Sequence, residues 1–393
     1  MLKQWIEEHQ ELEREIIEHR HYLHQHPEIG SKLPLTSKYV YDTLVSYGYQ
    51  PIKMAVSGMY VLVGKPSEKT LLLRADMDGL PMKEETNEPF KSKNQNMHSC
   101  GHDMHTGMML GVAKLLKEQE SQLKGCIKIM FQPHEEGLVG AANMIKEGIL
   151  ENPKVDAALA VHVEAGMDDS GILRYRKKET TAASTIFEIT VTGKSAHGAQ
   201  PHLGIDPINV AVRIYLGFQE LIARELPASS TNVLTVGMLH AGSSHNIVPE
   251  TAFMKCSLRS FCEEEQRYIL KRAEEISSGI AAAYGAKVKI EEVNSAPCTY
   301  NDPALTEEII GYSKEIFKES LQYREKPLPV SEDFSRISEQ VPSCFVTLAA
   351  GSPQEGYCYP QHNPKVTFDE GVMIKGCFFL YHSAVQWLLH HNP

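Results

Sequence analysis

The 393-residue sequence has no run approaching the roughly 20 apolar residues of a membrane span, and it has no basic stripe. Its longest apolar runs, such as Ala157 to Val163, have the length of a single strand. Acidic residues outnumber basic ones by 50 to 39, which gives a formal net charge of −11. A surface of this charge disfavours nucleic acid and anionic lipid. We therefore predict neither as a partner and expect a protein directed at small molecules.

A secretion signal and a disulfide framework are also missing. The first 27 residues alternate charged and apolar side chains at helical spacing and have no apolar centre of the kind a signal peptide needs. The eight cysteines stand at irregular spacing, which in a chain of this size favours free thiols. These features predict a cytoplasmic, reducing compartment, where a cysteine close to a histidine suggests metal binding.

The first part of the chain alternates helical and extended patterns. Short apolar runs bounded by glycine, proline and charges are typical of buried strands, and longer amphipathic stretches separate them. This rhythm predicts a layered α/β domain. The expected helices are 12–26, 105–118 and 141–147, and the expected strands are 60–63, 70–73, 126–131 and 157–163.

The pattern changes after about residue 181. Apolar and polar residues then alternate within the strands, as expected for a sheet with one wet face. The order strand, helix, strand, strand, helix, strand is that of a ferredoxin-like α+β unit. Its expected elements are 185–191, 207–223, 232–238, 252–258, 263–284 and 287–292. The first rhythm resumes near residue 301, so we predict a discontinuous α/β domain, 1–181 and 300–393, interrupted by an insertion, 182–299.

Two sequence-distant segments carry side chains suited to metal chemistry. Cys100 and His102 flank a glycine in a turn, so a thiolate and an imidazole can face one point, although the segment fits a structural turn equally well. Glu135 and Glu136 follow a predicted strand, where open α/β sheets place their ligands. Adjacent carboxylates point differently, so one can bind metal while the other faces a reacting water. In isolation such a pair is usually a solvated turn.

Two histidines add weaker indications. His162 lies in an apolar strand, where a lone histidine is more often a hydrogen-bonded core residue, and His362 follows a loop rich in glycine and tyrosine. Neither is informative alone. Their occurrence together with the two segments above, at the ends of successive strands, favours a metal site.

Several motifs in the same order resemble the M20 metallopeptidase superfamily, in particular its amidohydrolase branch of hippurate hydrolases, aminoacylases and auxin-conjugate hydrolases. The resemblance runs through nearly the whole chain. The matching segments are 21–28 (HYLHQHPE), 73–81 (LRADMDGLP), 99–105 (SCGHDMH), 131–136 (FQPHEE), 193–199 (GKSAHGA), 246–249 (NIVP) and 331–334 (SEDF).

The resemblance implies a catalytic domain that holds two divalent ions per subunit (zinc, manganese, nickel or cobalt), with Glu135 as the catalytic carboxylate. Cys100 is expected to bridge the ions. The superfamily's peptidases carry a histidine ligand at the position of Asp76 and an aspartate bridge at that of Cys100, which leaves the allocation of ligands to each ion open. The implied ligands are Cys100, His102, Glu136, His162 and His362.

The resemblance also implies roles outside the ligand set. His197 is expected to stabilise the oxyanion from the partner subunit of a homodimer, through the inserted dimerisation and lid domain. Asn246 and Arg259 match positions that bind the intermediate or the substrate carboxylate, and Asp78 matches the acid that orients a ligand histidine. The alternatives for these residues are a turn-stabilising histidine, an asparagine bonded to its own loop and a solvated arginine. Asp76 and His105 fit an orienting role or a structural one equally well.

The predicted function is hydrolysis of small N-acylated amino acids to a carboxylic acid and a free amino acid. The alternatives within the same chemistry are an N-acetyldiaminopimelate deacetylase and a dipeptidase. A non-catalytic binding protein or a structural protein with this fold is the alternative from a different class. The complete ligand set together with Glu135 argues against a non-catalytic binding protein, and a structural protein would contain no bound metal by elemental analysis.

Overall fold

The computed structural model describes residues 2–66 and 68–392. They form two compact units. The first comprises the chain through Thr180, Thr299–Lys326 and the chain from Glu332 onward, and the second comprises Thr181–Cys298 and Pro327–Ser331.

The first segment of the first unit alternates helices and strands, close to the bounds that hydrophobic periodicity predicts. Its elements are α1 (Leu2–Glu8), α2 (Gln10–Gln25), α3 (Pro34–Ser46), β1 (Ile52–Met54), β2 (Gly58–Gly64), β3 (Thr70–Asp76), α4 (His102–Glu118), β4 (Cys126–Gln132), α5 (Gly140–Lys146), β5 (Ala157–Glu164), β6 (Leu173–Tyr175) and β7 (Lys178–Glu179).

The second unit contains a four-stranded antiparallel sheet and two long helices. Its elements are β8 (Ala183–Thr192), β9 (Ala196–His197), α6 (Pro207–Glu220), β10 (Asn232–Ala241), β11 (Ile247–Val248), β12 (Thr251–Ser260), α7 (Glu263–Ala283) and β13 (Lys287–Ala296). The spatial order β10-β12-β8-β13 places the first and last long strands side by side and leaves one strand between the two that α6 connects. This is the ferredoxin-like arrangement. Phe187, Ile214, Phe218 and Met254 lie in its core.

The last segment returns to the first unit. Its elements are β14 (Tyr300–Asn301), α8 (Pro303–Phe317), β15 (Leu321–Tyr323), α9 (Ser335–Ser338), β16 (Ser343–Ala349) and α10 (Met373–His391). The helix Glu370–His391 is long and apolar enough to cross a membrane by length and composition, but 67% of its apolar window is buried inside the protein. That degree of burial is typical of a core helix, and α10 packs against α4, α8 and α2.

The first unit is built on an eight-stranded sheet with the order β1-β2-β4-β3-β5-β16-β6-β15. The central strands β4, β3, β5 and β16 are parallel, and β2 and β6 run antiparallel to them. Strands β3, β4 and β16 are buried throughout, because helices cover both faces of the sheet. The predicted fold class, a discontinuous α/β domain with a ferredoxin-like insertion, is confirmed.

Candidate metal centre

The carboxyl ends of three parallel strands bring the predicted metal ligands to one edge of the sheet. β3 ends at Asp76, the Glu135-Glu136 turn follows β4, and β5 carries His162 near its end. The loop before α4 closes onto β5 at Gly101, whose φ of +87° and lack of a side chain allow the approach: a Cβ there would lie 2.3 Å from a methyl carbon of Val163.

The five predicted ligands converge. The ligand atoms of Cys100, Glu136 and His362 lie within 4.8 Å of one another, as do those of His102, Glu135 and Glu136. The Cys100 Sγ lies 3.7 Å from His162 Nε2, which joins the fifth side chain to the group. The His362 Nε2 lies 3.4 Å from Glu136 Oε1.

Hydrogen bonds set the tautomers of two of these histidines. His162 donates from Nδ1 to the carbonyl of Val163 at 2.7 Å, and His102 donates from Nδ1 to the carbonyl of Asp78 at 2.8 Å. In the neutral imidazole, each Nε2 therefore carries a lone pair that faces the cluster. Among the described residues, 2–66 and 68–392, no hydrogen-bond partner is found for the buried His102 Nε2, and the buried Glu136 Oε1 has only the contact with His362 at 3.4 Å. Buried polar atoms are rarely left unpaired, so both atoms fit a role in binding metal.

Charge supports the same interpretation. Burial and the neighbouring Glu136 raise the pKa of the Cys100 thiol to about 12, so its thiolate form needs a cation beside it. Burial and the nearby His105 hold the pKa of His162 well below its usual value, which keeps this imidazole neutral and able to bind metal. One sulfur, three imidazole nitrogens and a carboxylate form a donor set that fits two divalent transition-metal ions.

His105 and Asp76 lie beside the ligands but are already paired. The His105 Nε2 accepts a hydrogen bond from the Val163 N–H at 2.8 Å, and its Nδ1 donates to Asp76 at 2.6 Å. Because both ring nitrogens are engaged, His105 has no lone pair for a metal. Burial raises the pKa of Asp76, but Arg74 and His102 outweigh it and hold that pKa well below its usual value. These two residues therefore hold neighbouring groups in place and are not assigned as ligands.

Asp78 organises the turn that carries the two glutamates. Its carboxylate accepts from the backbone N–H of Glu135 at 2.9 Å and of Glu136 at 3.3 Å, while its carbonyl accepts from His102. One residue therefore orients the turn and one ligand histidine. The carbonyl oxygen of Asp78 lies closer to His102 Nδ1 than its carboxylate oxygen does, at 2.8 Å against 3.6 Å.

Glu135 is buried, with 5% of its surface exposed, and its two oxygens have different surroundings. Oε1 accepts from the Asp333 N–H at 3.4 Å, whereas Oε2 lies 3.8 Å from Nε2 of His102, a predicted ligand. Burial, followed by the negative charges of Glu332, Glu136 and Asp333, raises the pKa of Glu135 well above its usual value. A carboxylate with a raised pKa is a stronger base.

A buried ionic network behind Glu135 was not predicted from the sequence. Arg74 donates to Asp76 at 2.7 Å, to Glu332 at 2.7 Å and to Asp333 at 3.0 Å, and Gln132 donates to both Asp333 oxygens. Burial raises the pKa of Asp333 to about 7 despite Arg74. One sequence feature could have indicated this network: Arg74 lies inside the apolar strand Thr70–Asp76, and a buried charge requires partners.

In the second unit, β9 pairs with β11 in a small two-stranded ribbon; His197 lies on β9, and Asn246 directly precedes β11. The His197 Nδ1 accepts from the Ala199 N–H at 3.1 Å, so its Nε2 carries the proton and is a donor. The Asn246 Oδ1 accepts from the Ser244 hydroxyl at 2.7 Å, which leaves its NH₂ group as a donor. Both side chains are exposed. Their roles at the metal centre stay predictions.

Arg259 lies on β12 of the second unit. Its guanidinium donates to Ser184, to the Ser257 hydroxyl at 3.2 Å and to the Leu258 carbonyl at 3.3 Å. In the described ranges 2–66 and 68–392, no carboxylate lies within 4.0 Å of it, so its charge is not neutralised. Burial lowers its pKa. A role in binding a substrate carboxylate stays a prediction.

Comparison with known proteins identifies the class. Residues 72–386 match the family model described as Peptidase family M20/M25/M40. The chain belongs to this family, and the resemblance predicted from its motifs is confirmed.

The similarity to its relatives extends over most of the chain. N-acetyl-L-cysteine deacetylase of Bacillus subtilis is 32% identical and covers 96% of this chain and 89% of its own, and hippurate hydrolase of Campylobacter jejuni is 33% identical and covers 96% and 98%. Thermostable carboxypeptidase 1 of Saccharolobus solfataricus is 34% identical, covering 93% of each. The crystal structure of the Bacillus subtilis YXEP protein, described as a dinuclear metal-binding M20 peptidase, has a TM-score of 0.82 at 27% identity and covers 97% and 99%.

Proposed function

We propose that this protein is a metal-dependent amidohydrolase that cleaves small N-acylated amino acids into a carboxylic acid and a free amino acid. The observation that carries the proposal is the buried Glu135 beside five convergent metal-binding side chains. Relatives named as an N-acetyl-L-cysteine deacetylase and a hippurate hydrolase support the substrate class.

The cluster of five convergent side chains would hold two divalent ions. Bound there, the ions would lower the pKa of a water molecule and polarise the substrate carbonyl. Zinc, manganese, nickel and cobalt all suit this mixture of thiolate, imidazole and carboxylate donors. The ligands are Cys100, His102, Glu136, His162 and His362.

Glu135 acts as the general base and then as the general acid. Its Oε2 accepts the proton of the attacking water, whose oxygen forms the new bond to the carbonyl carbon. The Glu135 Oε2 later delivers that proton to the leaving nitrogen as the C–N bond breaks. The Asp333 N–H on Oε1 directs the protonatable oxygen toward the ligand cluster. Asp78 holds the backbone of the turn while the proton moves.

His197 and Asn246 are assigned to the tetrahedral intermediate. Each has a side-chain N–H donor whose orientation is set by its own loop, and such prearranged donors stabilise a developing oxyanion. We propose that they act in a homodimer, with His197 serving the site of the partner subunit. The unneutralised Arg259 is assigned to the carboxylate of the substrate, because a guanidinium can bind it through two hydrogen bonds. The protein is proposed to act in the cytoplasm.

The experiment is a substrate panel with metal content measured in parallel. Acetyl-, benzoyl- and longer-acyl amino acids are compared with dipeptides and with N-acetyldiaminopimelate. We expect the N-acyl amino acids to have the highest kcat/KM, since a dipeptide presents a charged amine beside the scissile bond. Chelation should abolish activity and added divalent ions should restore it. Activity that survives exhaustive removal of metal would contradict the mechanism, and a preference for dipeptides would assign a peptidase instead.

A further inference from the structure

The side-chain amide of Gln361 faces three acceptors on two other segments. Its Nε2 lies 3.0 Å from the carbonyl of Cys100, 3.0 Å from the carbonyl of Val163 and 3.6 Å from the Cys100 sulfur. Both carbonyls can only accept, so the NH₂ end of the amide must be the end that faces them. The orientation of Gln361 therefore follows from its partners.

These contacts join segments that carry three of the proposed ligands. Cys100 is one ligand itself. The Val163 carbonyl also accepts from Nδ1 of His162, so Gln361 and that ligand share an acceptor. His362 is the next residue in the chain, and its N–H donates to the Ser99 carbonyl at 3.1 Å. One side chain thus connects the loop of Cys100, the end of β5 and the loop of His362.

The backbone at His362 has a conformation that needs support from its surroundings. Its φ is +60°, a left-handed backbone conformation that a non-glycine residue adopts only when its surroundings hold it there. Its side chain is 53% exposed, so packing does not fix the imidazole. The hydrogen bonds of Gln361 and of the His362 N–H are what attach this loop to the Cys100 segment.

We propose that Gln361 is a positioning residue that aligns Cys100, His162 and His362 and donates an N–H hydrogen bond to the Cys100 thiolate. The inference rests on the proposed metal-dependent function and extends it to the tuning of the sulfur ligand. A donated hydrogen bond stabilises charge on a thiolate and makes the sulfur a weaker electron donor to its metal. Partners of metal ligands contribute about 10- to 100-fold to metal affinity in such sites.

The test uses Co²⁺ as the probe. Purified full-length protein is stripped with a chelator and titrated with Co²⁺, and the thiolate-to-cobalt charge-transfer band and the dissociation constant are recorded. Gln361→Leu keeps the bulk and removes the donor. The matched control is Gln322→Leu, because Gln322 on β15 also donates its amide to a backbone carbonyl, that of Glu319 at 3.0 Å. Gln361→Asn, one methylene shorter, is the second variant and replaces the first if Gln361→Leu does not fold.

We expect both Gln361 variants to shift the band to lower energy, because the sulfur loses a hydrogen bond. We also expect Co²⁺ binding to weaken by about 10-fold or more, because the lost alignment of Cys100, His162 and His362 outweighs the stronger donation by the sulfur. Gln322→Leu should match the wild type. A band and an affinity unchanged in folded Gln361 variants would overturn the inference. Lower thermal stability alone, with the band in place, would assign Gln361 a structural role and also overturn it. If the wild type itself binds no Co²⁺ and shows no thiolate band, the proposed function fails instead.

Discussion

In the first unit, strands β3, β4 and β16 have every residue buried, whereas β10 of the second unit has none that is buried. The polar side chains proposed to act in the reaction, or paired beside them, also differ in exposure between the two units. Arg74, Asp76 and Asp333 are at most 3% exposed, and His197 and Asn246 of the second unit are exposed.

The difference has an energetic cause. A charge that is removed from water must be paired or bound to metal, because desolvation otherwise costs several kcal/mol. The buried groups of the first unit therefore form a fixed network whose geometry is set before substrate arrives. Donors on the second unit remain hydrated and are free to meet a ligand. Chemistry that needs a shifted pKa is accordingly assigned to the first unit, and adaptable binding to the second.

The largest expected effect is the loss of the base in the first unit. Glu135→Ala should lower kcat by about 10²- to 10⁴-fold, the usual contribution of general acid–base catalysis, with the fold and bound metal retained. The measurement is steady-state kinetics together with elemental analysis. The matched control is Glu291→Ala, an exposed glutamate on β13 of the second unit, which should leave kcat unchanged. Near-normal turnover in folded, metal-loaded Glu135→Ala would refute its assignment.

The buried network gives the next effect. Arg74→Met leaves the carboxylates of Asp76, Glu332 and Asp333 without their cation, and removing one partner of a buried ionic group costs about 3–5 kcal/mol. We expect the melting temperature to fall by several degrees. The control is Arg272→Met in the second unit, whose ion pairs with Glu225 and Glu275 lie at the surface. Equal melting temperatures for the two variants would show that the buried ion pairs of the first unit contribute no more to stability than the surface pairs of the second.

This network also marks the limit of what the sequence predicts. The strands and helices are evident from local hydrophobic patterns, since each depends on residues a few positions apart. The proposed ligand residues come from motifs that resemble a known family. Arg74 and Glu332, in contrast, are 258 positions apart, and nothing local indicates that they pair.

The same limit applies to individual side chains at the centre. The sequence leaves His105 open between an orienting and a structural role, and only the two hydrogen bonds to Asp76 and Val163 decide that it lacks a free nitrogen. Gln361 adjoins a predicted ligand, but its contacts with Cys100 depend on a loop conformation that no periodicity encodes. Pairing across the fold is information that local patterns do not contain.

The next prediction tests the proposed role of His197, an exposed donor of the second unit. His197→Ala should lower kcat by about 10²-fold, the typical loss of one oxyanion donor, and should leave metal content unchanged. Mixing His197→Ala with Glu135→Ala subunits should restore activity, because one site of each heterodimer then has both groups. Absence of recovery in verified heterodimers would mean that His197 acts within its own subunit or not at all.

The smallest effect concerns pH and His19, a buried histidine of α2. His19 is buried, hydrogen-bonded to the hydroxyls of Tyr39 at 2.8 Å and Tyr47 at 2.9 Å, and burial lowers its pKa from 6.5 to about 4. The unfolded chain therefore binds a proton below pH 6.5 that the folded protein excludes. Stability from this group is complete above pH 6.5 and is lost as pH falls toward 4, by about 1 kcal/mol at pH 5.5.

His19→Gln, which cannot titrate, should make the melting temperature fall less between pH 7.5 and 5 than it does in the wild type. The control is His240→Gln on β10, since this histidine is exposed like the other three of the second unit and should leave the pH profile unchanged. A profile of His19→Gln that parallels the wild type would show that His19 does not carry the acid sensitivity. A changed profile in His240→Gln would instead mean that an exposed histidine of the second unit contributes to the acid sensitivity, which would weaken the contrast between the two units.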